Sequence, residues 1–300
     1  WWLKMHKNIR LGDVSGEFHS LTKKQSETII RQFESVKKRL QRQLNGLGNT
    51  TSDKLQRLQL EDAVNGLNTN ITEVYQHFEG ELDDSIKEMA EAVVQNEAEF
   101  MEQFGIKLNT SFTRIPTDVL VEIRSGKIYN EKWYLADAIW QDQKSKLRTI
   151  NSMITNGVAA GKTTLEIAQD LEKYVDPKAR KPWDWFKVYP HSAAKIDYNA
   201  QRLARTVIAH AYQRATIREA KTNPLSMGIM WHSALSERSC EICIDRNGKI
   251  YAPDDLPLDH PNGLCTYSIV TPGMDDIAAR LANWVNGSED VELDAWYRNR

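Results

Sequence analysis

Three cysteines and one histidine define the chemistry open to this chain. Cys240 and Cys243 are followed by His260 and Cys265, in the spacing C-x2-C-x16-H-x4-C, and these are all of the cysteines and one of the seven histidines. Two thiolates at C-x2-C spacing turn toward one ion, and the backbone N–H groups of such a turn offset their charge. With His260 and Cys265 they make a Cys3His set, which suits a four-coordinate structural zinc. Two other readings of the same letters stand beside it. One is three buried thiols next to an unrelated histidine. The other is a redox-type Cys240–Cys243 disulfide, although no thioredoxin-like βαβ pattern surrounds it. Asn247-Gly248 lies between Ile242/Ile244 and Ile250/Tyr251, which predicts a type I′ hairpin. The expected object is a short antiparallel hairpin whose base is clipped by metal to the loop carrying His260 and Cys265.

The elements that must position these residues are mostly helical. Leu21 to Leu47 carries Ile29, Phe33, Val36, Leu40 and Leu44 at three- and four-residue steps, with Lys23, Lys24, Arg31, Lys37, Lys38, Arg39 and Arg42 on the other face and Gly46, Gly48 and Asn49 as its stop. A second long helix is expected from Asp53, or from Ile71 after a break at Gly66 and Asn68, to Phe104. Val74, Phe78, Leu82, Ile86, Met89, Val93 and Phe100 form its apolar side, and an acidic face runs from Glu73 through Glu97 to Glu102. A basic helix followed by an acidic one predicts an antiparallel pair with complementary faces. A loop containing Pro116 leads to a helix over Lys132 to Thr155 that Asn156-Gly157 closes.

The run Gly157 to Thr164 has glycines at 157 and 161 followed by Lys162-Thr163. A phosphate loop needs four residues between its glycines and a strand before them, and this run has three after a helix, so it predicts an N-cap at Thr163 or Thr164 instead. From Tyr174 to Lys195 the chain mixes Pro177, Pro182 and Pro190 with Trp183, Trp185, Phe186, Tyr189 and the cations Lys178, Arg180, Lys181 and Lys187. That pattern fits base stacking on single-stranded nucleic acid or a loop sealed onto protein. Asp197 to Lys221 reads as a helix with Arg202, Arg205, Arg214, Arg218 and Lys221 outside. Met227 to Leu235 and Tyr267 to Thr271 read as strands, Met274 to Val285 as a helix, and Gly287 to Arg300 as a weakly ordered end.

Composition narrows the partners. A net charge of −2 and a pI near 6.4 exclude a strongly basic nucleic-acid coat protein. Three clustered cysteines form no disulfide framework, which points to a reducing compartment during synthesis. No run of 18 apolar residues marks a membrane span, and Trp1-Trp2 is not followed by the apolar stretch of a secretory signal.

The run Trp231 to Cys243, followed by Asn247-Gly248-Lys249-Ile250-Tyr251 and His260-Pro261-Asn262-Gly263-Leu264-Cys265, resembles the C-terminal module of phage minor head proteins, the head morphogenesis family similar to protein F of phage Mu. The helix that begins Ala204-Arg205-Thr206 is similar to that family's Ala-Arg-Thr helix, and the resemblance covers about 160 to 273. In the family the last element reads His-Pro-Asn-Cys-x-Cys. Here Gly263 replaces the first of those cysteines and Cys265 matches the second, leaving Cys240, Cys243, His260 and Cys265 as the metal set.

The resemblance implies a non-enzymatic minor capsid protein of the virion, in the capsid interior or at the portal vertex and made in the bacterial host cytoplasm. Its partners would be the portal protein, capsid or scaffold proteins and packaged double-stranded DNA, with no membrane. The expected fold is mainly α, with long N-terminal helices followed by a small α+β module. The expected organisation is an N-terminal helical domain over 1–115, a connector over 116–195, the Mu F-like module over 196–273 and a C-terminal helix and tail over 274–300. The enzymatic alternative is a metal nuclease of the His-Asn-His type, suggested by Asp259-His260-Pro261 after a C-x2-C. It would need a further histidine downstream, and none follows Cys265. No catalytic or cofactor-binding residue emerges, and the only cofactor expected is structural Zn2+.

Overall fold

The computed structural model describes residues 9–10, 14–45, 53–105, 110–176, 197–233 and 239–298. The expected stop at Gly46–Asn49 and the Pro/aromatic run from 177 to 195 lie outside the described residues. The chain is mainly helical, with a small antiparallel sheet near its C-terminus. Its helices are α1 (Ser15–Leu44), α2 (Asp53–Glu102), α3 (Thr110–Thr113), α4 (Ile115–Arg124), α5 (Leu135–Ala159), α6 (Thr164–Val175), α7 (Tyr198–Thr222), α8 (Glu241–Arg246), α9 (Met274–Val285) and α10 (Val291–Arg298). The strands are β1 (Ile9–Arg10), β2 (Gly228–His232), β3 (Ile250–Tyr251) and β4 (Thr266–Thr271). Among the described residues, no helix is long and apolar enough to cross a membrane.

Two compact units share the longest helices. One gathers 23–82 with 129–204. Its core is the predicted stripe of α1, with Ile29, Phe33, Val36 and Leu40 buried, together with Leu67, Ile71, Tyr75 and Phe78 of α2, Ile139 and Ile150 of α5 and Leu171 of α6. The antiparallel pairing of α1 and α2 is as expected: Arg39 donates to Asn70 and Glu73 at 2.7 and 2.9 Å, and Gln32 donates to Glu81. The break expected at Gly66 and Asn68 does not occur. Leu60, Ala63, Leu67 and Ile71 are all buried, so one apolar stripe runs through the glycine, and its burial outweighs the roughly 1 kcal/mol that glycine costs a helix.

Asn156-Gly157 likewise does not close α5. Gly157 lies inside the helix against Ile167 of α6, and the chain turns at Gly161, whose φ is +70°. Thr163 then caps α6 as predicted: its Oγ1 accepts the Glu166 N–H, and the Glu166 carboxylate accepts the Thr163 N–H.

The other unit gathers 1–22, 83–128 and 205–300. The segment around Pro116 is helix α4, not a loop, because proline in the first turn has no intrahelical partner to lose. The sheet order is β1-β4-β2-β3, antiparallel throughout, with Met230 opposite Ser268 and Ile229 opposite both Ile269 and Tyr251. Tyr212 of α7 joins helix to sheet by donating its hydroxyl to the Tyr267 carbonyl at 2.7 Å, and Trp231 packs edge-on to the Tyr267 ring.

Four further expectations are corrected in this unit. Glu97, read as part of the acidic face, is buried at 1 % exposure. The α7 arginines are engaged, not available outside: Arg214 and Arg218 both pair with Glu122, Arg218 also with Asp118, and Arg205 is buried. The tail read as weakly ordered contains α10, held by Arg280 to Asp290 and Glu292 and by the Trp284 indole N–H to Asp294. The fourth, the strand expected at Ile242–Ile244, concerns the candidate site.

Candidate metal centre

The Cys240–Cys265 region is built from two turns and one short helix. Cys240 is the N-cap of α8, with extended backbone and its Sγ accepting the Cys243 N–H at 3.4 Å. A sulfur at the cap satisfies an orphan helix donor and brings Cys243 round by one turn onto the same side. Ile242 and Ile244 are therefore helical, and Ile250–Tyr251 pairs with Ile229–Met230 of β2 instead.

Asn247-Gly248 forms a different turn from the expected one. Asn247 has φ −57° and ψ 127°, Gly248 has φ +76°, and the Lys249 N–H donates to the Arg246 carbonyl. That is a type II turn, which needs positive φ at one central residue, where type I′ needs it at both. His260 to Gly263 repeats the pattern. Pro261 comes first, Asn262 takes φ +67°, and the Gly263 N–H donates to the His260 carbonyl at 3.0 Å.

These turns bring all four predicted ligands into one cluster, where together with Asp259 they form two overlapping triads sharing Cys243. In one triad the donor atoms of Cys240, Cys243 and His260 lie within 4.8 Å of one another, and in the other those of Cys243, Asp259 and Cys265 do. His260 Nε2 is 3.4 Å from Cys240 Sγ and 3.2 Å from Cys243 Sγ. A tetrahedral zinc with ordinary bond lengths sets that S···N edge at about 3.5 Å. The donor types and these two edges fit a zinc-class ion held by Cys240, Cys243 and His260.

The electrostatics agree. The Cys243 thiol is pushed up, first by its hydrogen bond with Cys265 and then by burial. His260 is raised to about 9, first by its hydrogen bond with Cys243. Burial also raises Cys240. Crowded thiols hold their protons until a cation takes their place, and a divalent ion reverses that preference.

Sequence reasoning missed the residues that hold the loop. Thr206, His210 and Gln213 lie at helical spacing on α7, all buried. Thr206 Oγ1 accepts the Asn262 N–H at 2.9 Å. Gln213 donates to the Pro257 carbonyl at 2.6 Å and accepts the Asp259 N–H at 3.3 Å. His210 Nε2 lies 3.1 Å from the Asp259 carbonyl, which can only accept, so this nitrogen carries the proton. Burial lowers His210 to about 4, keeping it neutral in that role. Asp259 itself is buried, with Oδ1 accepting the His260 N–H at 2.8 Å, and burial raises its carboxyl. A polar stripe recurring along a helix is the signal that could have pointed to these residues.

Residues 148–267 match a family model described as Phage Mu protein F like protein. This segment is similar to that family. The matched stretch runs from within α5 to the second residue of β4 and contains every residue of the cluster, but it covers less than half of the chain. The match relates the Mu F-like segment to phage head proteins. No curated protein and no solved structure matches the chain significantly.

Proposed function

We propose that this chain is a non-enzymatic minor head protein of a phage, associated with the portal and acting in head morphogenesis and in genome packaging or ejection. The observation that carries the reading is the Mu F-like match over the segment that also contains the Cys240–Cys243–His260–Cys265 cluster. In this reading Zn2+ is structural, holding the module over 196–273. The ion would tie the α8 turn to the His260 loop, since a two-residue β3 and a six-residue α8 bury little apolar surface of their own.

A donor set that closes around the ion leaves no open position for a reacting water, which weighs against catalysis. Of the histidines upstream of the cluster that a nuclease could use, His210 is engaged with the Asp259 carbonyl and His232 Nε2 sits 2.7 Å from Ser268 Oγ. Contact with packaged DNA would fall to the exposed cations of α1, among them Lys23, Lys38 and Arg42, and would weaken steeply with salt.

The test is quantitative mass spectrometry of purified, DNA-filled particles, scaled to the major capsid protein. A small and reproducible copy number is expected. Absence from filled particles overturns the virion reading.

A further inference from the structure

We infer that Asp259 is itself a ligand of the ion this cluster takes, admitted to it by Gly263. The inference rests on the structural-metal reading above and alters its donor set, because a four-coordinate ion that takes Asp259 leaves one of Cys240, Cys243, His260 and Cys265 outside its shell. Asp259 is 3 % exposed, and its main chain is fixed on both sides, the N–H by Gln213 and the carbonyl by His210. One carboxyl oxygen, Oδ1, accepts the His260 N–H. The other, Oδ2, is buried and has no partner at hydrogen-bond geometry; the Tyr267 hydroxyl is close enough to this carboxyl to interact with it. A carboxylate oxygen removed from water in this way needs a cation or a donor. The groups that converge with it are the thiols of Cys243 and Cys265, both buried and both within 4.8 Å. Two thiolates and a carboxylate repel one another until a divalent ion lies among them, and zinc accepts sulfur, nitrogen and oxygen donors alike.

Gly263 supplies a separate observation. Its backbone does not occupy the left-handed region, so its turn does not require glycine. A Cβ built there would lie 2.1 Å from Asp259 Oδ2 and 2.4 Å from its Cγ. The carboxyl group occupies the volume that any side chain at 263 would take. What position 263 needs is the absence of a side chain, and the reason is the carboxylate. Asp259 thus stands beside Cys243 and Cys265 on the buried side of the cluster, while the partly exposed Cys240 and His260 lie on the other.

The experiment uses the full chain loaded with Zn2+ or Co2+. X-ray absorption of the zinc-loaded parent is expected to show more than one nitrogen or oxygen scatterer per ion beside its sulfurs. Three sulfurs with a single nitrogen overturn the proposal. Chelator competition on Asp259→Asn is expected to show a tenfold or greater loss of Zn2+ affinity, with the Co2+ ligand-field bands shifted while the thiolate charge-transfer bands persist. Parent-like affinity and spectra in Asp259→Asn, with metal lost in Cys243→Ser, overturn the Asp259 role and leave the structural-metal reading standing. Failure of the parent chain to bind either ion overturns both. Gly263→Ala supplies the coupling: it is expected to weaken Zn2+ binding in the parent and to have little effect in an Asp259→Ala background. Additive effects of the two substitutions count against the pair.

Discussion

Gln213 shows how much of the centre depends on groups that carry no metal chemistry. It is fully buried, and its amide serves two backbone groups of the ligand loop, the Pro257 carbonyl and the Asp259 N–H. Gln213→Ala removes two hydrogen bonds, one to the half-buried Pro257 carbonyl and one from the buried Asp259 N–H, which is left without its partner. Leaving the buried N–H unsatisfied costs about 1–3 kcal/mol and losing the half-buried bond about 0.5–1.5 kcal/mol, so a destabilisation of roughly 1.5–4.5 kcal/mol is expected, read as a fall in the urea midpoint with an unchanged m-value. An unchanged midpoint would mean that the loop is held without α7. Cys240, Cys243, His260 and Cys265 were legible in the sequence because ligand spacing is written locally and soft donors are few. Gln213, His210 and Thr206 were not, because their partners lie 44, 49 and 56 residues away and only the folded chain brings them together. Asp259 was legible only as a neighbour of His260. Its place beside Cys243 and Cys265 depends on the turn at Pro261-Asn262 and on the empty side of Gly263.

Helix existence was legible at nearly every element, since three- and four-residue apolar steps report the buried face directly. Helix ends and interruptions were less so, and two glycines show why. A glycine in a helical pattern has two meanings, a stop or a close approach, and the distinction lies in what faces it. At Gly66 a Cβ would meet only the amide end of the exposed Gln43, at 2.2 Å from Nε2. That side chain can swing away, so the gain in helix propensity wins, and Gly66→Ala is expected to stabilise by about 0.5–1 kcal/mol. At Gly157 a Cβ would lie 2.7 Å from Cγ1 of the buried Ile167, close to the α6 backbone. There the same gain meets an overpacking cost of about 1–3 kcal/mol, and Gly157→Ala is expected to lower stability or at best leave it unchanged. Thermal unfolding of the two variants side by side decides the matter. A shift of the same sign in both would show that propensity alone sets the outcome. The short α8 was misread for a related reason: Ile242 and Ile244 alternate like a strand, but the Cys240 cap commits the chain to a turn of helix before the alternation can be used.

On the scale of the whole molecule, the Mu F-like match does not coincide with a compact unit. Residues 148–267 take in parts of both units and stop two residues into β4, whereas the unit that contains the metal cluster also draws on 83–128 and on the chain after 267. Residues 83–128 are therefore part of what the segment from 205 onward folds against, and one buried tie between them sets a pH limit for the protein. Asn223, just after α7, donates to Glu97 of α2 at 2.6 Å, and Glu219 of α7 lies beside the same carboxyl. Burial pushes Glu97 from its ordinary value of 4.5 up to about 8, and it pushes Glu219 well up too, with the Glu97 charge adding to the shift. Both groups keep a proton in the folded chain that they release on unfolding. The stability they contribute is therefore complete below pH 4.5, declines above it, and is lost as the pH rises through about 8. Glu97→Gln keeps an acceptor for Asn223 and removes the ionisation. Urea unfolding from pH 5 to pH 9 is expected to show the parent losing stability steadily and the variant losing less, with the gap widening through pH 8. Parallel curves would mean that the two carboxyls stay neutral, or stay hydrated, on both sides of the transition. The steep side of that curve would then belong to some other group.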